Sequence, residues 1–191
     1  MHNNYYHVDA LGTLQTGAVI DARSNGWSKF GLQCVSRFRA AGLLEALERS
    51  DIPSLPAIKA LTQDYRREFF LEHIRRHHPL VKNRSTSRLN SFFAVKSVED
   101  ARSFIIRRPT SVGRVPRIFI VHTDGDHPAH DMNWLDFKFP DDPNSFAYHY
   151  VSYWNRVLTT EDQNMSSKLH GRLPIQEVLI TSPVTIGAIV G

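Results

Sequence analysis

One carboxylate near the end of this sequence lies in a stretch that is otherwise apolar. Glu177 stands between Ile175 and the run Val178-Leu179-Ile180, a pattern that predicts the interior of a β-strand. Burying a carboxylate without a partner is costly, so such a position needs a partner or a chemical use. Two interpretations remain open: an edge strand that turns Glu177 to water, or a strand whose Glu177 lines a cleft and stabilises positive charge during a reaction.

A second group of ligand-type side chains occupies the segment from His122 to Asp131. This segment holds three histidines and three aspartates directly after a predicted strand, and such a set could bind a divalent ion in a metal-dependent hydrolase. The spacing matches no metal motif with a defined mechanism, and Asp-Gly-Asp and His-Pro are common in turns. A metal site is therefore one alternative that the sequence leaves open.

Basic residues outnumber acidic ones, 23 to 19, which gives a net charge of +4 and a pI near 9.4. Several of them cluster on one predicted helix, at Arg66, Arg67, Arg75 and Arg76. The cluster predicts either solvated helix faces or an electropositive rim that binds phosphate. A non-catalytic nucleic-acid-binding module is therefore a further alternative, and its affinity for nucleic acid would fall steeply with salt.

Length and composition are those of an ordinary globular protein. The 191 residues fit one domain, which we expect to span 1–191, and no apolar run approaches the roughly 20 residues that cross a bilayer. The start, Met1 to His7, lacks the basic and apolar regions of a secretory signal, so we expect a cytoplasmic protein without a membrane partner. The single cysteine, Cys34, falls among apolar residues and is predicted to be a buried thiol.

Apolar periodicity and turn residues predict an order of strands and helices along the chain. The predicted strands are 5–8, 91–95, 117–121 (a central strand), 173–180 and 184–190, and the predicted helices are 32–49, 56–78, 97–108 and 145–158. The predicted irregular segments are a loop at 83–88, a turn at 140–143 and a mobile loop at 159–168. The last two strands are expected to pair. This mixture predicts an α+β fold with a split antiparallel β-sheet core and flanking helices.

Four segments of the chain, in this order, resemble an uncharacterised bacterial family with the three-motif layout of ADP-ribosyltransferases. They are Tyr6-His7-Val8, then Ser87-Arg88-Leu89-Asn90-Ser91-Phe92-Phe93-Ala94 with Glu99-Asp100-Ala101 after it, then Tyr153-Trp154, and last Gln176-Glu177-Val178-Leu179-Ile180 with Pro183-Val184 after it. The last segment is also similar to that of DNA-targeting ADP-ribosyl toxins. The resemblance implies an ADP-ribosyltransferase-like fold and NAD as the cosubstrate.

The resemblance implies a role for each candidate residue in cleaving the bond between nicotinamide and ribose. That cleavage leaves an oxocarbenium-like ribosyl cation, which the carboxylate of Glu177 would stabilise while it orients a ribose hydroxyl. His7 would hold the adenosine ribose or a phosphate, and Arg88 would pair with the pyrophosphate. Ser87 and Ser91 would bond a ribose or brace the fold. Three aromatic residues would stack on nicotinamide: Phe93, Tyr153 and Trp154.

Two features leave the subclass open. Arginine-modifying members carry Glu or Gln two residues before the catalytic glutamate, whereas this chain has Ile175 there. The run Ser85-Thr86-Ser87 resembles the serine-threonine-serine motif of the arginine-first subclass, whereas His7 resembles the histidine-first subclass. The resemblance implies a macromolecular acceptor, with RNA or DNA favoured over protein because of the basic charge. A toxin, a phage-defence protein or an effector delivered into a target cell would fit this activity, and an antitoxin or immunity protein would then be a partner.

Overall fold

A computed structural model describes residues 2–24, 26–82, 86–108, 114–137 and 144–191 of the protein. In these ranges seven strands form one antiparallel sheet with six α-helices around it, so the predicted mixed α+β class is confirmed. The strands are β1 (His2–Asp9), β2 (Val19–Ile20), β3 (Phe92–Val95), β4 (Arg117–Asp124), β5 (Ala129–Asp131), β6 (Gln176–Ile180) and β7 (Val184–Ile189). The helices are α1 (Lys29–Ala40), α2 (Leu55–Lys59), α3 (Gln63–His77), α4 (Val98–Arg107), α5 (Asn144–Trp154) and α6 (Gln163–Leu169). The turn predicted at 140–143 and residues 83–85 of the predicted loop lie outside the described residues.

β1 and β4 pair with each other in the middle of the sheet. Their register runs from His2 opposite Asp124 to Asp9 opposite Arg117. β4 also pairs with β7 on its other side, so the prediction of a central strand at 117–121 is confirmed. The apolar side chains Ile118, Phe119 and Val121 of β4 project from the faces of the sheet and are buried in the cores packed there.

The sheet consists of two halves with a narrow junction. The strand order is β2-β7-β4-β1-β3-β6-β5, and β1 meets β3 at a single register pair, Tyr6 opposite Val95. The prediction that the last two strands pair is wrong. β6 is buried along its last four residues and lies between β3 and β5, so neither of its edges is free for β7. The sheet curls, and Ile180 at the end of β6 packs in the same core as Val184 at the start of β7.

Three predicted helices are shorter than the sequence pattern suggested; the one predicted at 145–158 ends at Trp154, two residues before Arg156 adopts a left-handed conformation with φ of 63°. α1 ends at Ala40 because Gly42 adopts a left-handed conformation, with φ of 68°, and Leu43 N–H bonds back to the Phe38 carbonyl. The residues up to Arg49 instead contain a short 3₁₀ helix at Glu45–Glu48. The predicted helix at 56–78 is divided into α2 and α3, because Thr62 is extended and begins α3.

The prediction of a mobile loop at 159–168 is also wrong, because most of this segment belongs to helix α6. Asp162 caps α6 by accepting a hydrogen bond from Met165 N at 3.0 Å. Thr159 is fully buried, and its backbone N–H and its hydroxyl both donate to Asp131 Oδ2, at 2.7 and 2.6 Å. Polar composition was misleading here because these polar groups bond to one another inside the fold.

The start of helix α4 agrees with the sequence prediction. Ser97 Oγ accepts a hydrogen bond from Asp100 N at 3.0 Å, so the predicted start of α4 is confirmed.

The larger core lies between the sheet and helices α1, α3 and α5, with Phe38, Phe69 and Trp154 fully buried in it. None of the helices in the described ranges is long and apolar enough to cross a bilayer.

Candidate functional site

A cavity of about 510 Å³ opens where β1, β3 and β6 meet helices α3 and α4. Its lining includes His7, Arg88, Phe93 and Glu177, which the sequence predicted to share one site. The sheet brings these distant segments together, because the β1–β3 junction pair reaches Val95 and Val95 in turn lies opposite Glu177 on β6. The volume is within the range of small-molecule sites, about 300–1,000 Å³.

Glu177 is held by one oxygen only. It lies on an interior strand, between Val95 of β3 and His130 of β5, and is 4% exposed, so the edge-strand interpretation is wrong. Its Oε1 accepts a hydrogen bond from the Tyr153 hydroxyl at 2.6 Å and another from Arg88 Nη1. Within the described residues, no hydrogen bond reaches Oε2. Because Glu177 lines the cavity, its second oxygen is available to a ligand.

Arg88 lies behind Glu177 in a buried network of charges. A short 3₁₀ helix, Arg88–Asn90, begins here, and the Arg88 side chain is 9% exposed. Nε and Nη2 donate to the two oxygens of Glu68, at 2.8 and 3.1 Å, and Nη1 donates to Glu177 and, at 2.9 Å, to the Tyr153 hydroxyl. Burial alone would lower the pKa of Arg88, but the charges of Glu177 and Glu68 outweigh it and raise that pKa well above its ordinary value.

These contacts give Arg88 a positioning role. A guanidinium has five N–H groups, and four of those of Arg88 are directed to Glu68, Glu177 and Tyr153. The pairing of Arg88 with a pyrophosphate, which the resemblance implied, would require that this network open. The guanidinium also lies 4.8 Å from the centre of the Phe93 ring, so it braces one aromatic wall of the cavity.

Glu68 is a site residue that the sequence interpretation missed. It belongs to α3, is 4% exposed and lines the same cavity as Glu177. The spacing of Leu61, Tyr65, Glu68 and Glu72 places two carboxylates on one apolar face of the helix, and this was the pattern that could have identified them. Carboxylates on a buried face need a cation, and Arg88 supplies it for Glu68.

His7 contributes a neutral imidazole to the cavity wall. Its Nδ1 lies 2.6 Å from the Phe93 carbonyl oxygen, and since that oxygen can only accept, Nδ1 carries the proton. The ring packs against Phe92, with centroids 4.6 Å apart. Burial lowers the pKa of His7, although its bond to the Phe93 carbonyl opposes this, so the ring is neutral at pH 7 and Nε2 is an acceptor.

Four predicted ligand contacts do not reach the cavity. Ser87 Oγ donates to Glu72 Oε2 at 2.8 Å, and Ser91 Oγ donates to the Ser87 carbonyl at 2.6 Å, so both serines brace the fold around the 3₁₀ helix. Trp154 Nε1 donates to a backbone carbonyl of α3, at 2.8 Å, deep in the core. Tyr153 is likewise buried, and only its hydroxyl contributes to the site, through Glu177.

The basic residues of α3 bond within the chain. Arg66 donates to the carbonyl of Leu61, between α2 and α3, at 2.7 Å and to that of Lys59, the last residue of α2, at 2.9 Å. Arg75 and Arg76 both pair with the buried carboxylate of Glu72, each at 2.7 Å. Burial alone would raise the pKa of Glu72, but the two arginines outweigh it and lower that pKa. Arg66, Arg75 and Arg76 thus stabilise the fold and do not form a free phosphate-binding rim.

The histidines of the 122–131 segment bond to separate partners. His122 Nδ1 bonds to Asn4 Oδ1 at 2.8 Å, and His127 Nε2 bonds to the Asp124 carbonyl at 3.0 Å. His130 is buried, with Nδ1 donating to the Tyr153 carbonyl at 2.9 Å, and burial lowers its pKa to about 4. In the described ranges, no three His, Cys, Asp or Glu side chains converge in a metal-binding arrangement. Cys34 is buried as predicted, and burial raises the pKa of its thiol to about 12.

Comparison with known proteins gives no indication of function, so the proposal below is based on the geometry of the site. The chain matches no protein-family model and no curated protein sequence.

Proposed function

We propose that the protein is a mono-ADP-ribosyltransferase with an ADP-ribosyltransferase-like fold, which cleaves NAD at the nicotinamide–ribose bond and transfers ADP-ribose to a macromolecule. One observation carries the proposal: Glu177 is fixed through Oε1 while Oε2 remains available at the wall of a cavity of about 510 Å³. A carboxylate that is already oriented stabilises a developing positive charge without reorganising during the reaction.

The bond cleavage calls for such a group. As nicotinamide leaves, positive charge develops on the ribose ring, and Oε2 of Glu177 would accept a hydrogen bond from a ribose hydroxyl beside that charge. Arg88 and Tyr153 would keep the carboxylate correctly turned through their bonds to Oε1. Neither residue needs to touch the substrate for this role.

The walls of the cavity suit the other parts of NAD. Aromatic side chains line it, among them Tyr6, Phe30, Tyr65 and Phe93, and a planar nicotinamide or adenine ring would stack on them. Nε2 of the neutral His7 would accept a hydrogen bond from a ribose hydroxyl. The ring of Phe93 is itself held, edge-on against Phe30 with centroids 5.2 Å apart, so this wall is rigid.

For the acceptor we propose a nucleic acid in preference to a protein, because the chain carries a net charge of +4. Such an activity would suit a toxin, a phage-defence protein or an effector, held in check by an antitoxin or immunity protein. Incubation with NAD labelled in the adenosine half, followed by separation of protein, RNA and DNA, tests both steps. Label in one macromolecular fraction supports transfer, and absence of both label transfer and nicotinamide release contradicts the proposal.

A further inference from the structure

A second cavity, of about 770 Å³, adjoins the one that contains Glu177. The two share Asp64, Arg67, Leu135 and Arg108 in their linings, so they lie directly side by side. The second cavity is lined by four guanidinium groups and two carboxylates, an excess of two positive charges: Arg67, Arg107, Arg108, Arg172, Asp64 and Asp136. We call this second cavity the arginine chamber.

The carboxylates of the arginine chamber are shared among three of its arginines. Arg67 pairs with Asp64 at 2.6 Å, while Arg172 and Arg108 both turn to Asp136, at 2.7 and 3.7 Å. The side chains of Arg108 and Arg172 are 40% and 35% exposed, so their remaining N–H groups can reach a ligand. Asp136 balances one of these two charges and leaves the other for an anion.

Arg107 adds a charge that no carboxylate in the described residues pairs with. Its Nη1 donates to Asn133 Oδ1 at 2.6 Å and its Nη2 to the Leu173 carbonyl at 2.8 Å, both neutral acceptors. Burial and the nearby charge of Arg172 lower the pKa of Arg107. Two neighbouring cations in one chamber repel each other, and a bound anion would relieve that repulsion.

We propose that the arginine chamber binds a phosphate group of one of the two reactants: NAD, whose reacting ribose lies against Glu177, or the acceptor of ADP-ribose. Arginine presents a planar fork of N–H donors that matches phosphate oxygens, and the chamber offers several such forks beside the reaction site. Because Arg88 is occupied by Glu68 and Glu177, the phosphate contact falls to the arginines of this chamber. The inference rests on the proposed function for the identity of the ligand, which supplies phosphate either as the pyrophosphate of NAD or as the phosphodiester of the acceptor.

The test measures binding of two phosphate probes by calorimetry or fluorescence anisotropy: ADP-ribose, and a single-stranded oligonucleotide in DNA and RNA forms. The variant is Arg108→Gln, because among the described residues Arg108 forms a single, long ion pair, to Asp136, and Arg172→Gln is a second variant. Arg102→Gln, an exposed position on α4, the helix that ends directly before Arg108, is the matched control. Thermal melting of each protein checks that it is folded.

We expect at least one phosphate probe to bind the wild-type protein, and Arg108→Gln to weaken that binding by about tenfold or more while Arg102→Gln leaves it unchanged. Loss of ADP-ribose binding identifies the pyrophosphate as the occupant, and loss of oligonucleotide binding identifies the phosphodiester. The inference is overturned if neither probe binds, if Arg108→Gln and Arg172→Gln bind as tightly as wild type, or if Arg102→Gln weakens binding equally.

Nicotinamide release from NAD, measured in parallel, separates this inference from the proposed function. Phosphate binding that depends on Arg108 in a protein that releases no nicotinamide would support the chamber and contradict the transferase. If the wild-type protein releases nicotinamide but Arg108→Gln and Arg172→Gln bind the phosphate probes as tightly as wild type, the result would support the transferase and contradict phosphate binding in the chamber.

Discussion

The carboxylate of Glu177 and the guanidinium of Arg88 form a buried ion pair across 89 residues of sequence. Glu68 binds the opposite side of the same guanidinium, so one cation serves two carboxylates. A buried pair of this kind adds little net stability over an apolar replacement, but removing one partner leaves uncompensated charge. We therefore expect the fold to lose stability when Arg88 is replaced, and the network holds Glu177 in one orientation.

Arg88→Met is predicted to be strongly destabilising. The change keeps much of the side-chain volume but leaves Glu68 and Glu177 without their cation, which costs about 3–5 kcal/mol in the free energy of unfolding. Urea denaturation followed by circular dichroism measures this, with Arg102→Met as the exposed control. A loss no larger than that of the control would show that Arg88 does not compensate the two carboxylates.

Tyr153→Phe is predicted to have a smaller, mixed effect. It removes the 2.6 Å hydrogen bond to Glu177 Oε1 and the 2.9 Å hydrogen bond that the hydroxyl accepts from Arg88 Nη1, and it leaves the pairing of Arg88 with Glu177 in place. We expect a loss of about 1–2 kcal/mol in the free energy of unfolding. NAD turnover should also fall, by less than in Glu177→Gln, because the carboxylate remains charged but is less firmly oriented. If neither stability nor turnover changes, Tyr153 does not position Glu177.

His130 is predicted to make the protein less stable in mild acid. Burial lowers its pKa from 6.5 to about 4, so the unfolded chain binds a proton there more readily than the folded protein. The stability that this difference contributes, on the order of 3 kcal/mol, is fully present above pH 6.5 and is lost as the pH falls toward 4. Urea denaturation at several pH values measures the loss.

His130→Asn is the matched variant for that experiment. An asparagine keeps a donor for the Tyr153 carbonyl but does not titrate. The variant should be less stable at pH 7, because the ring contact with Tyr153 is lost, yet less sensitive to pH between 6.5 and 4. Some sensitivity will remain, since burial also lowers the pKa of His7 and His73. Identical pH dependence in both proteins would contradict the assignment.

The sequence predicted those parts of the fold in which pattern and burial agree. β4 was predicted because its apolar run is bounded by turn residues, and Glu177 was identified because its charge interrupts such a run. The breaks at Gly42 and Thr62 were missed because apolar spacing continues across both positions, whereas backbone conformation ends the helices. Local pattern does not report such a change in backbone direction.

The partners within the site could not be predicted for a different reason. Arg88 contacts Glu68 across 20 residues and Glu177 across 89, and no local spacing encodes either pairing. The helical spacing of Glu68 could have identified it as a buried carboxylate, but residues 68–74 of α3 are all buried, and nothing in that stretch indicates which cation Glu68 meets. The β6–β7 pairing was predicted from closeness in sequence, which the curled sheet overrides.

Both carboxylates of the network line the cavity, but they differ in one respect that can be tested. Glu68 uses both oxygens to bind Arg88, whereas the bonds of Glu177 to the part of the chain that the structure describes all reach Oε1. Glu177→Gln keeps an oxygen that accepts from Arg88 and Tyr153, and Glu68 still compensates the guanidinium, so the variant should remain folded. Glu68→Gln removes the same charge from the same network and is the matched control.

The most direct test of the proposed function is nicotinamide release from NAD by the wild-type protein, Glu177→Gln and Glu68→Gln, each shown to be folded by circular dichroism. We predict that Glu177→Gln lowers the rate by about a hundredfold or more, because a transition-state electrostatic contact is lost, and that Glu68→Gln lowers it far less. Nicotinamide release at the wild-type rate by folded Glu177→Gln would contradict the assignment of Glu177 as the catalytic carboxylate.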